Sequence, residues 1–104
     1  MPELTTLKSL NIEEKIVLSE HARIRLIERG ITVDDVINSI NTGEIIMQYK
    51  DDKPFPSCLI LGRDANGKYI HVVVSNDSEY IYLITAYVPN SDIWKEDLKT
   101  RKRG

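Results

Sequence analysis

Apolar positions along this chain change their spacing near residue 44, from the helical period to the strand period of two. Upstream of that point Leu4, Leu7 and Leu10 give weak helical spacing over residues 4–14, and residues 15–18 form a short apolar bridge. The stretch SEHARIRLIERG, residues 19–30, predicts a helix. Ser19 can accept an orphan amide of its first turn, and Gly30 suits the left-handed position that ends it. A second helix follows at once. Thr32 caps it, Asp34 and Asp35 lie at its positive end, and Val33, Val36, Ile37 and Ile40 fall at i, i+3, i+4, i+7 until Gly43 stops it.

Downstream, residues 45–49 read as a strand, followed by a loop through Asp51, Asp52, Pro54 and Pro56. Residues 57–63 and 68–75 read as two strands joined at Asn66-Gly67, a pair that predicts a two-residue hairpin loop. A further strand spans residues 81–88 and Pro89 closes it. Asn90 or Ser91 then caps an expected final helix, with Trp94 and Leu98 on one side. The expected architecture is α+β: N-terminal helices, an antiparallel four-stranded sheet and a C-terminal helix.

Length and composition narrow this picture. A chain of 104 residues makes one domain with a single modest core. With 41% hydrophobic and 29% charged residues it has the make-up of an ordinary globular protein. A net charge of -2 argues against coating nucleic acid by bulk electrostatics, so any such contact must come from a local cluster. The one cysteine, Cys58, can form neither an internal disulfide nor a cysteine-based zinc site. No apolar signal core, repeat or stretch of about 20 apolar residues is present, and a cytoplasmic location with no membrane contact is the expectation.

The first helix carries the first candidate chemistry. His21, Arg25 and Arg29 stand one turn apart along one face. The helix dipole and Arg25 both disfavour a protonated imidazole at position 21, which suits a general base, and the arginines suit an anion such as phosphate. The plainer alternative makes His21 a partly buried cap residue and pairs the arginines with Glu20 and Glu28.

The second candidate is His71. A two-residue loop at Asn66-Gly67 would set it opposite Gly62, with Leu59, Leu61, Ile70, Val72 and Val74 on the core face. His71 would share the other face with Cys58, Ile60, Tyr69 and Val73. An odd-length connection after Ser75 would bring Thr85 and Tyr87 level with it and give the core Tyr82, Ile84, Ala86 and Val88. The alternative is an ordinary solvated strand histidine.

Together these groups make a kit for RNA cleavage without a metal: a base for the 2′-hydroxyl, arginine for the crowded phosphorane and an acid for the leaving oxygen. The aspartate pairs 34–35 and 51–52 point their side chains apart, and two histidines without a placed carboxylate make a poor zinc site, so neither metal nor cofactor is expected. Lys95, Lys99, Arg101, Lys102 and Arg103 form a basic tail that either follows a nucleic-acid backbone or is the solvated end of a helix. Trp94 with Leu98 reads as core packing.

The runs LSEHARIRLIERGIT, GEIIMQY, KPFPSCLILGRD, GKYIHVVVS and LITAYVPNSDIWKEDLKTRK, spread over roughly residues 15–103, resemble the DUF4258 family of small bacterial and archaeal proteins. That resemblance implies a layout like the RelE-type toxin ribonucleases, and for some members a small zinc-finger partner acting as antitoxin. By position the family's polar signature falls on His21, Arg25, Arg29, His71, Thr85, Tyr87 and Trp94. RelE-like toxins are usually basic, whereas this chain is mildly acidic.

Three functions follow as expectations. The first is a toxin-type endoribonuclease acting on RNA, with His21 or His71 as base or acid, Arg25 and Arg29 clamping phosphate, and Tyr87 and Thr85 orienting. The second is a non-catalytic module that binds another protein through its sheet. The third is a binder of a small carboxylate or phosphate ligand.

Overall fold

The computed structural model describes residues 1–102, so Arg103 of the basic tail lies outside the described residues. Helix α1 (Leu4–Ser9) precedes a 3-10 turn at Glu13–Lys15 and strand β1 (Ile16–Leu18). Helices α2 (Glu20–Arg29) and α3 (Val33–Thr42) follow, then strands β2 (Glu44–Tyr49), β3 (Ser57–Arg63), β4 (Tyr69–Asn76) and β5 (Ile81–Tyr87). The class is α+β, with one five-stranded sheet in the order β1-β5-β4-β3-β2. Among the described residues no helix is long and apolar enough to cross a membrane.

The expected four-stranded antiparallel sheet is therefore five-stranded and mixed. The stretch taken for an apolar bridge is β1, which pairs parallel to β5 through Ile16 and Ile81, Val17 and Tyr82, and Leu18 and Leu83. Three residues are too short to show a period, so only the distant partner makes them a strand.

The two central helices begin and end as their capping residues dictate. The Ser19 hydroxyl accepts from the Ala22 amide at 3.0 Å, and Gly30 ends α2 with φ 66°. Thr32 and Asp35 form a reciprocal capping box at the start of α3. Leu26, Val36, Ile40, Ile60, Ile70, Val72, Val74, Ile81, Leu83 and Ala86 belong to one core between these helices and the sheet.

The hairpin register differs from expectation by one residue. His71 pairs with Leu61, and Gly62 with Ile70. The loop holds three residues, Ala65 to Gly67, because the Asp64 amide donates to Lys68 O at 2.8 Å and the Gly67 amide to Asp64 O at 3.0 Å. Gly67 takes φ 86° whereas Asn66 stays at negative φ, so the turn is a type I turn with a glycine bulge, not the primed turn that Asn-Gly suggests. One more loop residue swaps the faces of β3. Cys58 and Ile60 join the core, Leu59 and Leu61 turn to the side of His71, and Gly62 meets α3 instead of the imidazole. A β-carbon on Gly62 would collide with Ser39 O and lie 2.6 Å from Ser39 C. Helix and strand can approach this closely only over glycine.

A second irregularity sets β5. Val74 pairs with Leu83 but Val73 with Thr85, which leaves Ile84 as an extra bulged residue. The connection is thus even in register, and the core receives Ile81, Leu83 and Ala86 rather than Tyr82, Ile84 and Val88. Past the bulge the alternation is restored, and Thr85 and Tyr87 reach the face of His71 as expected.

The expected C-terminal helix is absent among the described residues. Past Pro89 the chain makes a tight loop closed by a bridge between Trp94 and Arg101, with the Lys95 amide donating to Thr100 O at 2.8 Å and the Lys102 amide to Ile93 O at 2.7 Å. Asp97 Oδ1 accepts from the amides of Lys99 and Thr100 at 2.9 and 3.0 Å, a local alternative that competes with helical hydrogen bonds. Lys99 pairs with Glu44 at 2.6 Å, so part of the basic tail is folded back onto the domain.

Candidate functional site

The sheet face opposite the helices carries a second, smaller buried layer. Leu59, Leu61 and Trp94 are buried there outside the main core, and His71 is 0% exposed among them. The Trp94 ring stands edge-on to the imidazole with centroids 4.5 Å apart, and the Tyr87 ring does likewise at 5.3 Å. Trp94 thus folds the C-terminal loop over β4.

Both ring nitrogens of His71 have partners. Nε2 lies 2.7 Å from Leu98 O, a group that only accepts, so Nε2 carries the proton. Nδ1 is then an acceptor, and the Tyr87 hydroxyl donates to it across 3.3 Å. Leu98 occupies the left-handed region at φ 61°, uncommon for a branched residue and costing on the order of 1 kcal/mol, and that conformation presents its carbonyl to His71. Burial pulls the His71 pKa below the ordinary histidine value, with the Leu98 carbonyl opposing. The imidazole is neutral at pH 7 and held in one tautomer.

Tyr87 is half-buried, and its pKa is raised chiefly by burial, then by the neighbouring Tyr49, while Arg101 and Arg29 pull it down. Arg29 is anchored at the end of α2. Its Nη1 donates to Thr85 Oγ1 at 3.0 Å and to Ala86 O at 2.8 Å. Arg101 lies over the Trp94 ring at 5.8 Å. A phenol with a neutral acceptor behind it and two guanidinium groups within electrostatic reach can exchange a proton beside a bound anion.

Of the residues singled out from the sequence, Arg29, His71, Thr85 and Tyr87 come together here. Arg25 is exposed one turn earlier on α2, on the same stripe as Arg29. His21 stands apart. It is exposed and lines a cleft of about 510 Å³ with Lys53, Phe55, Ser75, Tyr82 and Ile84. Ser75 lies four residues along β4 from His71, a separation of roughly 13 Å in a strand. The alternative pairing of the arginines with Glu20 and Glu28 is not formed among the described residues, where Arg29 bonds to β5 instead.

Tyr49, Leu98 and Arg101 were not legible as site members. Arg101 stood in the sequence as one of five tail cations, and nothing local distinguishes it. A tryptophan four residues before a leucine read as a helix face, so the loop that carries Leu98 O to His71 left no signal.

A family model described as Domain of unknown function (DUF4258) matches residues 18–88. No curated protein and no solved structure matches the chain. The matched segment includes α2, the hairpin and β5, and so contains Arg29, His71, Thr85 and Tyr87 but neither Trp94 nor Arg101.

Proposed function

We propose that this chain, which belongs to the DUF4258 family, is an endoribonuclease whose reacting group is Tyr87. The observation that carries the reading is the chain of contacts from Tyr87 Oη to His71 Nδ1 and from His71 Nε2 to Leu98 O, set beside an anchored Arg29. In this reading Tyr87 Oη takes the proton of an RNA 2′-hydroxyl while passing its own to His71 Nδ1. The freed 2′-oxygen attacks the adjacent phosphorus, and the bond to the 5′-oxygen breaks. The leaving 5′-oxygen takes a proton from water at the open side of the site, and the hydroxide left behind takes the proton that His71 returns through Tyr87, which restores both groups. Arg29, with Arg25 and Arg101 nearby, offsets the charge that builds on the phosphorane. His71 acts as a positioning residue and proton acceptor behind the phenol. A neutral imidazole is needed for that role, and burial supplies it.

The test is cleavage of mixed RNA by the purified protein in chelator. Tyr87→Phe keeps the ring but removes the proton, and should slow cleavage by on the order of 100-fold or more. Arg29→Ala should cost about as much. Wild-type protein that leaves RNA intact, or a Tyr87→Phe protein that cuts at the wild-type rate, overturns the reading.

A second reading has its own support. The complete burial of His71 and the occupation of both its nitrogens also suit a purely structural anchor for the C-terminal loop. On that reading the arginines bind RNA phosphate without turnover, and the same gel shows retention without cleavage.

A further inference from the structure

We propose that the cleft lined by His21, Lys53, Phe55, Ser75, Tyr82 and Ile84 is a subsite for one unpaired RNA base flanking the scissile bond. This deepens the ribonuclease reading and rests on it for the identity of the ligand.

Three observations favour a base over other occupants. The first is the platform. The Phe55 and Tyr82 rings are stacked, with centroids 5.7 Å apart and planes 15° from parallel. The Tyr82 hydroxyl donates to Asp77 Oδ2, which holds the lower ring in place, while Phe55 remains 37% exposed. A fixed aromatic ring under a partly open one accepts a further flat ring, and every base has a face to stack.

The second is size and charge. A cleft of about 510 Å³ falls within the usual range for small-ligand sites. No lining residue is acidic, whereas His21 and Lys53 stand in its wall. With Val17, Pro54, Leu83 and Ile84 also in the wall, a flat aromatic ring with an attached anion fits better than a cation.

The third is position. Ser75 and Tyr82 pair in register and share the sheet face of His71 and Tyr87, roughly 13 Å from His71 along β4. An extended dinucleotide step can span that interval. A strand with its phosphate against Arg29 and its neighbouring base against Phe55 would use both ends of the α2 stripe. That gives His21 a task at a phosphate or base edge, distinct from Tyr87 chemistry.

Titration of the full chain with AMP, and separately with ribose 5-phosphate, followed by ¹H–¹⁵N NMR, tests this directly. AMP should shift amides of Ser19, His21, Phe55, Ser75 and Ile84, and should bind at least fivefold tighter than ribose 5-phosphate. Phe55→Ala should weaken AMP by roughly 5- to 150-fold, the loss expected for one base–aromatic stack, and Phe55→Tyr should restore it. Unshifted cleft amides at millimolar AMP overturn the proposal. So do equal affinity for ribose 5-phosphate and unchanged AMP affinity in Phe55→Ala with an otherwise native spectrum. The Tyr87→Phe protein should bind AMP like wild type. AMP binding at the cleft by a protein that cuts no RNA therefore defeats the nuclease reading alone. RNA cleavage by a protein whose cleft ignores AMP defeats the subsite alone.

Discussion

Lowering the pH from about 7.5 to about 5.5 should destabilise this protein through His71, and the size of the loss has a ceiling set by linkage. In the folded chain the imidazole is buried and its pKa lies below 6.5; in the unfolded chain it returns to about 6.5. Between those two values the unfolded state binds the proton and the folded state does not, so stability rises with pH across that window and falls as the pH drops below 6.5. The contribution is fully present above the unfolded value. If the folded site stays neutral throughout, the integrated loss over these two pH units is about 1.4 kcal/mol, and any protonation of the folded site makes it smaller. Asp35, Asp77 and Asp97, whose pKa values are held below 3.8, lose their contributions only at lower pH and stay out of this window. Urea unfolding followed by Trp94 fluorescence at a series of pH values measures the effect, and His71→Gln isolates it. The variant is expected to be less stable at every pH but to lack this slope. Parallel pH profiles for the two proteins, or a wild type that gains stability on acidification, would refute the argument that burial dominates at His71.

Three further outcomes are expected. Gly62→Ala should cost about 1–3 kcal/mol or more in urea unfolding, because the new methyl group meets the Ser39 backbone and not a flexible side-chain end; a loss under about 0.5 kcal/mol would mean that α3 can lift off β3 freely. The Cys58 thiol, pushed up to about 12 by burial, should react with a thiol reagent near pH 8 only after urea is added, and fast stoichiometric labelling of native protein would contradict its burial. Trp94→Ala, by uncovering His71, should release the C-terminal loop: limited proteolysis should then cut near Lys95 and Lys99 much faster than in wild type, with equal rates counting against the proposed role of the indole.

Much of the helical half was legible because its signals are local. Ser19, Gly30 and Thr32 each act on backbone groups within four residues, and each was visible without knowledge of the fold, whereas Asp35 also accepts from the Ala65 amide at 2.8 Å, a contact no local signal marks. The sheet was harder because its faces depend on counting residues in turns. Asn66-Gly67 correctly marked a hairpin, yet its three-residue form swapped the faces of β3, and the bulge at Ile84 then brought Tyr87 to His71 by a route the alternation did not suggest. Long-range effects were not legible at all. β1 is a strand only because β5 lies beside it, and the C-terminal segment, where Asp97 already binds nearby backbone amides, forgoes its helix as Trp94 packs on a histidine far back in the chain. The family model ends at residue 88, before both of these late contacts.

The parallel pairing of β1 with β5 has a consequence for the order of assembly. Ile16 emerges from the ribosome long before its partner Ile81. The growing chain must therefore carry α2 and the β3–β4 hairpin with one margin of the sheet unfilled, and the last strand slots between segments already present. Such insertion closes a long loop, which slows folding, and the outer seam can lock only once β5 has been made.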